Sequence, residues 1–410
     1  MRVFMKTCAA LTAFLILAFN YSDAMRALRE APEAFYAEDP QRLSIKLTSS
    51  MSLSDLASVS AVSSEDEVLS EQRVEYRLFG LFTLKSVPAY IGKRAVLTPG
   101  GQAVGISIYT LGVLVVGTGS FIDEYGRSVS PAVEAGLKAG DIIVSAGGRT
   151  VSTAKELREA LDAGSSSTEL LVERNGKRIF ITLMPAVSET GEKRIGAWVR
   201  DSTIGIGTLT FIDTETGMLA ALGHAVLDAD TGSTLRIRDG KLVLARILGV
   251  TKGRQGVPGE LMGTFSDESA QLGSIVSNTE LGIFGYLSAY DASLFSESAV
   301  ETAYPDEVHT GDAYIITSAD GTPKRYSCRI IRTGTQKEPA PKGLVIEITD
   351  ERLNELTGGI VQGMSGSPII QDGRLVGVVT HVFVNDPRKG YGAYAYWMLN
   401  RFGGEYGGKE

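Results

Sequence analysis

Gly358-Gly-Ile-Val-Gln-Gly-Met-Ser-Gly-Ser-Pro-Ile-Ile-Gln-Asp-Gly-Arg-Leu-Val-Gly-Val-Val-Thr-His381 is the stretch whose reading decides the fold. Ser365 lies between glycines in Gly363-Met364-Ser365-Gly366, where missing Cβ atoms let another chain approach and let the loop adopt conformations other residues resist. Behind it two apolar runs, Ile369-Ile370-Gln371 and Leu375-Val-Gly-Val-Val379, flank Asp372-Gly373, a pair suited to a tight hairpin turn. A serine presented in this way can act as a nucleophile. An α/β-hydrolase elbow would need glycine at the fifth motif position and a helix after it. Ser367, Pro368 and a hairpin stand there instead, so that architecture is excluded.

A nucleophile loop that feeds a β-hairpin suits the double β-barrel of chymotrypsin-like proteases, in which the N–H groups of the serine and of the glycine two before it form the oxyanion hole. Those donors are Ser365 and Gly363. A serine hydroxyl needs a base to take its proton, and three histidines are available. His224 follows the apolar Met218-Leu-Ala-Ala221 and sits beside Gly223; His309 lies in a polar segment; His381 follows the apolar Val378-Val379-Thr380. Chain order, with the base on an earlier barrel than the serine, favours His224. For the carboxylate that would orient it, Asp350 closes the apolar strand Leu344-Val-Ile-Glu-Ile-Thr-Asp350, and Asp228 and Asp312 are rivals that spacing does not separate.

Outward from this site, short Val/Ile/Thr-rich runs punctuated by glycine fill the last two hundred residues and predict a mainly β chain without internal repeats. The 410 residues suffice for two or three domains, and a net charge of −8 repels nucleic acid, so no nucleic-acid partner is expected. Two cysteines and three histidines argue against a disulfide scaffold and a histidine-built zinc site; neither metal nor cofactor is expected. Residues 1–24 read as an export signal or membrane anchor, with Arg2 and Lys6 ahead of the apolar run Cys8 to Phe19 and a small-x-small site at Ser22-Asp23-Ala24. Residues 25–73, Ser-rich over Ser49 to Ser70, read as a partly disordered arm, and 74–100 as an N-terminal strand region.

Residues 101–186 form a separate module. Ala103 to Ile108 and Gly112 to Gly117 read as strands, Thr153 as the cap of a helix, and Asn175-Gly176 as a hairpin turn. The run S-P-A-x-x-A-G-L-x-x-G-D-I-I from Ser130 to Ile143 resembles a PDZ domain of the bacterial protease-associated kind. That resemblance implies capture of a peptide by strand addition, with Val104, Gly105 and Ile106 at the carboxylate-binding edge and Leu157 on the groove helix.

Residues 192–410 read as the double-barrel peptidase domain, and nearly all of the segment from Ile195 to the C-terminus resembles the stage IV sporulation protein B family of serine peptidases. The resemblance rests on Gly223-His224-Ala225 with Asp228, on Thr349-Asp350-Glu351, and on Thr357 to Gln371 running into Thr380-His-Val-Phe-Val-Asn-Asp-Pro387. It implies His224 as base, Asp350 as orienting acid and Ser365 as nucleophile. It further implies an exported protease of the forespore intermembrane space that cuts its own chain and the extracytoplasmic part of a membrane-bound regulator. That cut would release an intramembrane metalloprotease to process the late mother-cell sigma factor. The competing reading is a catalytically inactive, PDZ-based scaffold.

Overall fold

In the segment Lys324–Thr333 the buried residues are Tyr326, Cys328 and Ile330, every second one, which is the period of a strand with one face in a core. This alternation recurs along the chain. The computed structural model describes residues 32–39, 41–42, 57–63, 71–78, 82–164, 166–265, 271–288, 291–336 and 338–399. The leader at 1–24 and most of the Ser-rich stretch lie outside them. Strands β1 (Phe35–Ala37), β2 (Ala57–Ser63), β3 (Glu71–Leu78) and β4 (Phe82–Ile91) form a sheet in the order β1-β4-β3-β2, so the arm supplies two strands where a loose linker was expected. Tyr36 seats this sheet on the body of the protein. Its ring lies 5.1 Å from that of Tyr396 and 6.2 Å from that of Trp397, while Arg94 bridges Glu38 and Glu307.

β5 (Ala103–Thr118) is one continuous strand rather than the two expected, bent at Gly112, whose φ of +104° and close approach to Ile142 and Ile143 exclude a side chain. After it come α1 (Pro131–Glu134), β6 (Ile142–Ala146), α2 (Ala154–Ala163), β7 (Thr168–Arg174) and β8 (Lys177–Leu183). Thr153 and Glu156 cap α2 reciprocally, and Asn175 and Gly176, both at positive φ, turn β7 into β8. The chain then returns as β9 (Ala197–Ile212), antiparallel to β5 from Ala197↔Thr118 to Thr208↔Ala103. This long ribbon joins two bodies. At one end, β8-β7-β6-β5-β9 with α2 make the PDZ module.

At the other end the ribbon enters a barrel with β10 (Met218–Ala221), β11 (Ile237–Leu244), β14 (Gln271–Thr279) and β15 (Gly282–Leu287), closed in the order β5-β11-β14-β15-β10-β9. A side hairpin, β12 (Arg246–Thr251) and β13 (Glu260–Thr264), projects between β11 and β14. The PDZ module is therefore inserted in the first barrel. That revises the boundaries expected at 101–186 and 192–410, because residues 103–110 already belong to the barrel. The second barrel, β16 (Gly311–Thr317), β17 (Lys324–Thr333), β18 (Leu344–Ile348), β19 (Pro368–Gln371), β20 (Arg374–Phe383) and β21 (Asp386–Tyr394), closes as β16-β17-β18-β21-β20-β19. α3 (Glu351–Thr357) follows β18, and Asp372 and Gly373, at φ +50° and +74°, turn β19 into β20. The protein is a mainly β, chymotrypsin-like double barrel carrying a PDZ domain. Cys328 sits unpaired in the second core, where burial pushes its thiol up to about 12.

Candidate active site

The two barrels meet through Thr208 of β9, which is 1 % exposed. Its N–H donates to the Ser365 carbonyl at 3.0 Å and its hydroxyl to the Gly363 carbonyl at 2.7 Å. Its own carbonyl accepts the Leu222 N–H at 3.3 Å. One residue of the first barrel thus grips both the serine loop and the turn that leads to His224. Gly366 makes the approach possible: at φ +101°, a Cβ there would lie 2.1 Å from the Thr208 oxygen. Sequence reading missed Thr208, since a threonine inside a strand carries no signal of what it will face.

Within the serine loop the backbone donors divide into two groups. Gln362, Met364, Gly366 and Ser367 give their N–H groups to Gly259, Val361, Val379 and Met364 carbonyls. Among the described residues the N–H groups of Gly363 and Ser365 have no acceptor. Two unpaired amides two positions apart, one of them the serine's own, are the donor pair that an oxyanion requires. The Ser365 hydroxyl donates to the Thr380 carbonyl at 2.8 Å.

Leu222 and Gly223, at φ +75° and +78°, form a strained left-handed turn that ends β10 and presents His224. The imidazole stands 5.1 Å from the ring of His381, the neighbour of the Thr380 that holds the serine hydroxyl. His224 and Ser365 thus neighbour two adjacent residues, His381 and Thr380, and no hydrogen bond joins them to each other. Nδ1 of His224 lies 2.8 Å from the Ala225 carbonyl; a carbonyl only accepts, so Nδ1 carries the proton and Nε2 keeps a free lone pair. Burial pushes the His224 pKa down and the Ala225 bond opposes this in part, leaving a neutral imidazole at pH 7.

Asp350 is not brought to that imidazole. It caps α3: Oδ1 accepts the Arg352 N–H and Nε, both at 3.0 Å, and Oδ2 accepts Arg352 Nη2 at 2.7 Å and the Ser327 N–H at 3.2 Å. No hydrogen bond or ion pair joins it to His224. The Arg352 guanidinium holds this carboxyl below the usual range against the opposing effect of burial. The expected orienting contact is replaced by the Ala225 carbonyl, because the helix start and the arginine saturate the acid. The rivals are engaged too. Asp312 is exposed and paired with Arg329, while Asp228 is buried against Arg200 and Thr231. His309 pairs with Asp372 on the surface.

Residues 191–399, just over half of the chain, match the model of the SpoIVB peptidase S55 family. The chain belongs to this family. Residues 124–174 match the PDZ domain family. Proteins of Brucella suis biovar 1 and Brucella melitensis biotype 1, each named as a zinc metalloprotease, are 29 % identical over 154 residues, 34 % of this chain and 39 % of theirs. Serine protease HTRA1 of Xenopus tropicalis is 38 % identical over 56 residues, 14 % of this chain and 12 % of that one. The chain therefore matches about two-fifths of the length of the Brucella relatives. The Rv3671c protease of Mycobacterium tuberculosis in its active form covers 51 % of this chain with 76 % of its own, at 14 % identity and a TM-score of 0.28, a likeness too slight to bear on the argument.

In this SpoIVB-family chain the strand expected to receive a peptide has no free edge. Val104, Gly105 and Ile106 are paired on both sides, with β9 and β11, in the first barrel, and the Phe265 ring occupies the space where a Gly105 Cβ would point. No edge is left there for a ligand strand. The open edge is Ala197 to Val199 of β9, which pairs with β5 on one side only. Between it and α2 runs a groove of about 440 Å³ lined by Phe121, Leu157, Arg158, Leu161 and Trp198 among others. Leu157, placed on the groove helix by the sequence reading, is among its lining residues. Ile195-Gly196 precedes this edge, with Gly196 at φ +69° against the Gly119 carbonyl, and is the sequence signal that could have located it.

Proposed function

We propose that this protein is a serine endopeptidase in which Ser365 is the nucleophile and His224 the general base. The observation that carries this reading is the unpaired Gly363 and Ser365 amide pair at a serine whose hydroxyl is held by Thr380, the chain neighbour of the His381 ring that lies 5.1 Å from the ring of His224. In the proposed step Ser365 Oγ turns from the Thr380 carbonyl and forms a bond to the scissile carbonyl carbon, while its proton passes to Nε2 of His224. The oxyanion is held by the two amides, an arrangement in which each donor contributes about 10²–10³-fold in rate. Collapse breaks the C–N bond, and His224 returns the proton to the departing amine. Water then attacks the acyl-enzyme by the same route and frees Ser365. Ala225 and the surrounding loop hold the imidazole in its Nδ1–H form.

In biological terms we propose an exported signalling protease of the forespore intermembrane space that cuts its own chain and the extracytoplasmic part of a membrane-bound regulator of an intramembrane metalloprotease. This rests on the family and on the leader-like residues 1–24. The groove beside α2 would take an extended peptide on the edge at Ala197 to Val199. A fluorophosphonate probe on the purified chain tests the chemistry: covalent labelling that maps to Ser365 and is lost, with self-cleavage, in Ser365→Ala supports it. Unlabelled Ser365 alongside retained peptide binding would instead identify a PDZ-based scaffold.

A further inference from the structure

β9 serves both bodies, and its side chains at the crossing point are unusual. Ala197 to Val199 edge the groove, Thr208 grips the serine loop, and the register with β5 breaks between Arg200 and Ser202. At that break two neighbouring charged residues tie two different elements. Asp201 Oδ2 accepts the Ala154 N–H at 2.8 Å, the first amide of α2, which is the opposite wall of the groove. Arg200 donates through Nη1 to Asp228 Oδ2 at 2.5 Å and through Nη2 to Asp230 Oδ2 at 2.7 Å.

Asp228 anchors the loop that His224 begins. Its Oδ1 accepts the N–H groups of Asp230 and Thr231 and the Thr231 hydroxyl. From the barrel side the same loop is pinned by Asn278, whose amide bonds Val226 and Leu235. Among the described residues, the side chains that hydrogen-bond this loop from outside it are thus Asn278 of the barrel and Arg200 of the groove strand. The Asp228 side chain is fully buried, and Arg200 is its cationic partner. Drawing Arg200 away leaves a buried carboxylate unpaired, so the loop cannot ignore a shift of the groove strand.

We propose that Arg200 and Asp201 are positioning residues that make the placement of His224 depend on the state of the groove. A peptide strand added at Ala197 to Val199 alters the spacing between β9 and α2, Asp201 registers that spacing, and Arg200 passes it to the loop through Asp228 and Asp230. This rests on His224 being the base.

The test compares Asp201→Ala, Arg200→Gln and the double variant in the full chain. Amide hydrogen exchange over residues 224–235 is measured in a Ser365→Ala background, and the second-order rate of fluorophosphonate labelling, with its pH profile, in the Ser365 chain. Thermal melts confirm that each variant is folded. Expected are faster loop exchange in Asp201→Ala, although that residue touches nothing in the loop, and labelling slowed about three- to tenfold. Arg200→Gln should slow labelling tenfold or more and move the profile midpoint. The double variant should be no slower than Arg200→Gln, and Arg200→Lys, which cannot fork across two carboxylates, should rescue only in part. Unchanged loop exchange in Asp201→Ala, or a double variant equal to the product of the singles, overturns the junction. Failure of the unsubstituted chain to label at Ser365 overturns the peptidase reading instead, while the exchange measurements still decide the junction.

Discussion

Replacing Asp350 by Asn separates two roles that sequence alone leaves merged. In the structure Asp350 is a helix cap whose acceptors serve Arg352 and Ser327. Asn keeps one oxygen and caps a helix about as well as Asp. The change therefore retains the bond from the Arg352 N–H, gives up a well-screened pairing with an exposed guanidinium, and weakens the acceptor for the Ser327 N–H. That last loss costs about 1 kcal/mol, the net worth of one hydrogen bond. The rate of Ser365 acylation should fall by less than about threefold, because nothing the imidazole touches has changed. Were Asp350 the partner of His224, the same substitution would upset the tautomer and lower turnover by about 10⁴-fold. Two measurements decide: the second-order rate of fluorophosphonate labelling, and the urea midpoint of the same preparation. A loss of a thousandfold or more with an unmoved midpoint refutes the reasoning. The pH dependence of stability offers a second check. The Asp350 carboxyl is held down by Arg352, so its contribution is present above the unfolded carboxylate pKa and lost as pH falls through the lower folded one; Asn removes that acid-side dependence.

Three further outcomes follow from the same geometry. Because burial lowers the His224 pKa, the labelling rate should rise with pH and level off at a midpoint below about 6.5, the ordinary histidine value; a midpoint above 7 contradicts this. The same shift means that the neutral ring's contribution to stability is complete above the ordinary histidine pKa and is lost as pH falls below it. Thr208→Val, nearly isosteric, leaves the Gly363 carbonyl without its buried donor and should cost about 1–3 kcal/mol in denaturant titrations. It should also slow acylation at least tenfold, and an unaltered rate would remove Thr208 from the account. Gly366→Ala forces a Cβ against the Thr208 oxygen at a positive φ, so the variant should lose labelling and lower the melting temperature by several degrees; wild-type behaviour would show that the barrels do not meet there as described.

Features that depend on residues a few positions apart were readable directly. Thr153, Asn175 with Gly176, Asp372 with Gly373, and a serine framed by glycines each carry their own local chemistry, so the cap, the two turns and the serine loop follow from the chain as written. The turn that presents His224 is legible for the same reason, from Gly223 at the end of an apolar run. Strand partners were not. A period of two says which face of a strand is buried but not which distant strand lies beside it, so β5 could not be recognised as a wall of both bodies. Gly105 illustrates the difficulty: it reads as a ligand-loop glycine, yet its missing side chain makes room for Phe265 across the barrel. The groove edge at Ala197 to Val199, the insertion of one domain within another, the grip of Thr208 on the serine loop and the engagement of Asp350 by Arg352 all join segments remote in the chain. They were settled only when the barrels closed, because closure, and not local propensity, determines which hydrogen-bonding groups are left facing one another.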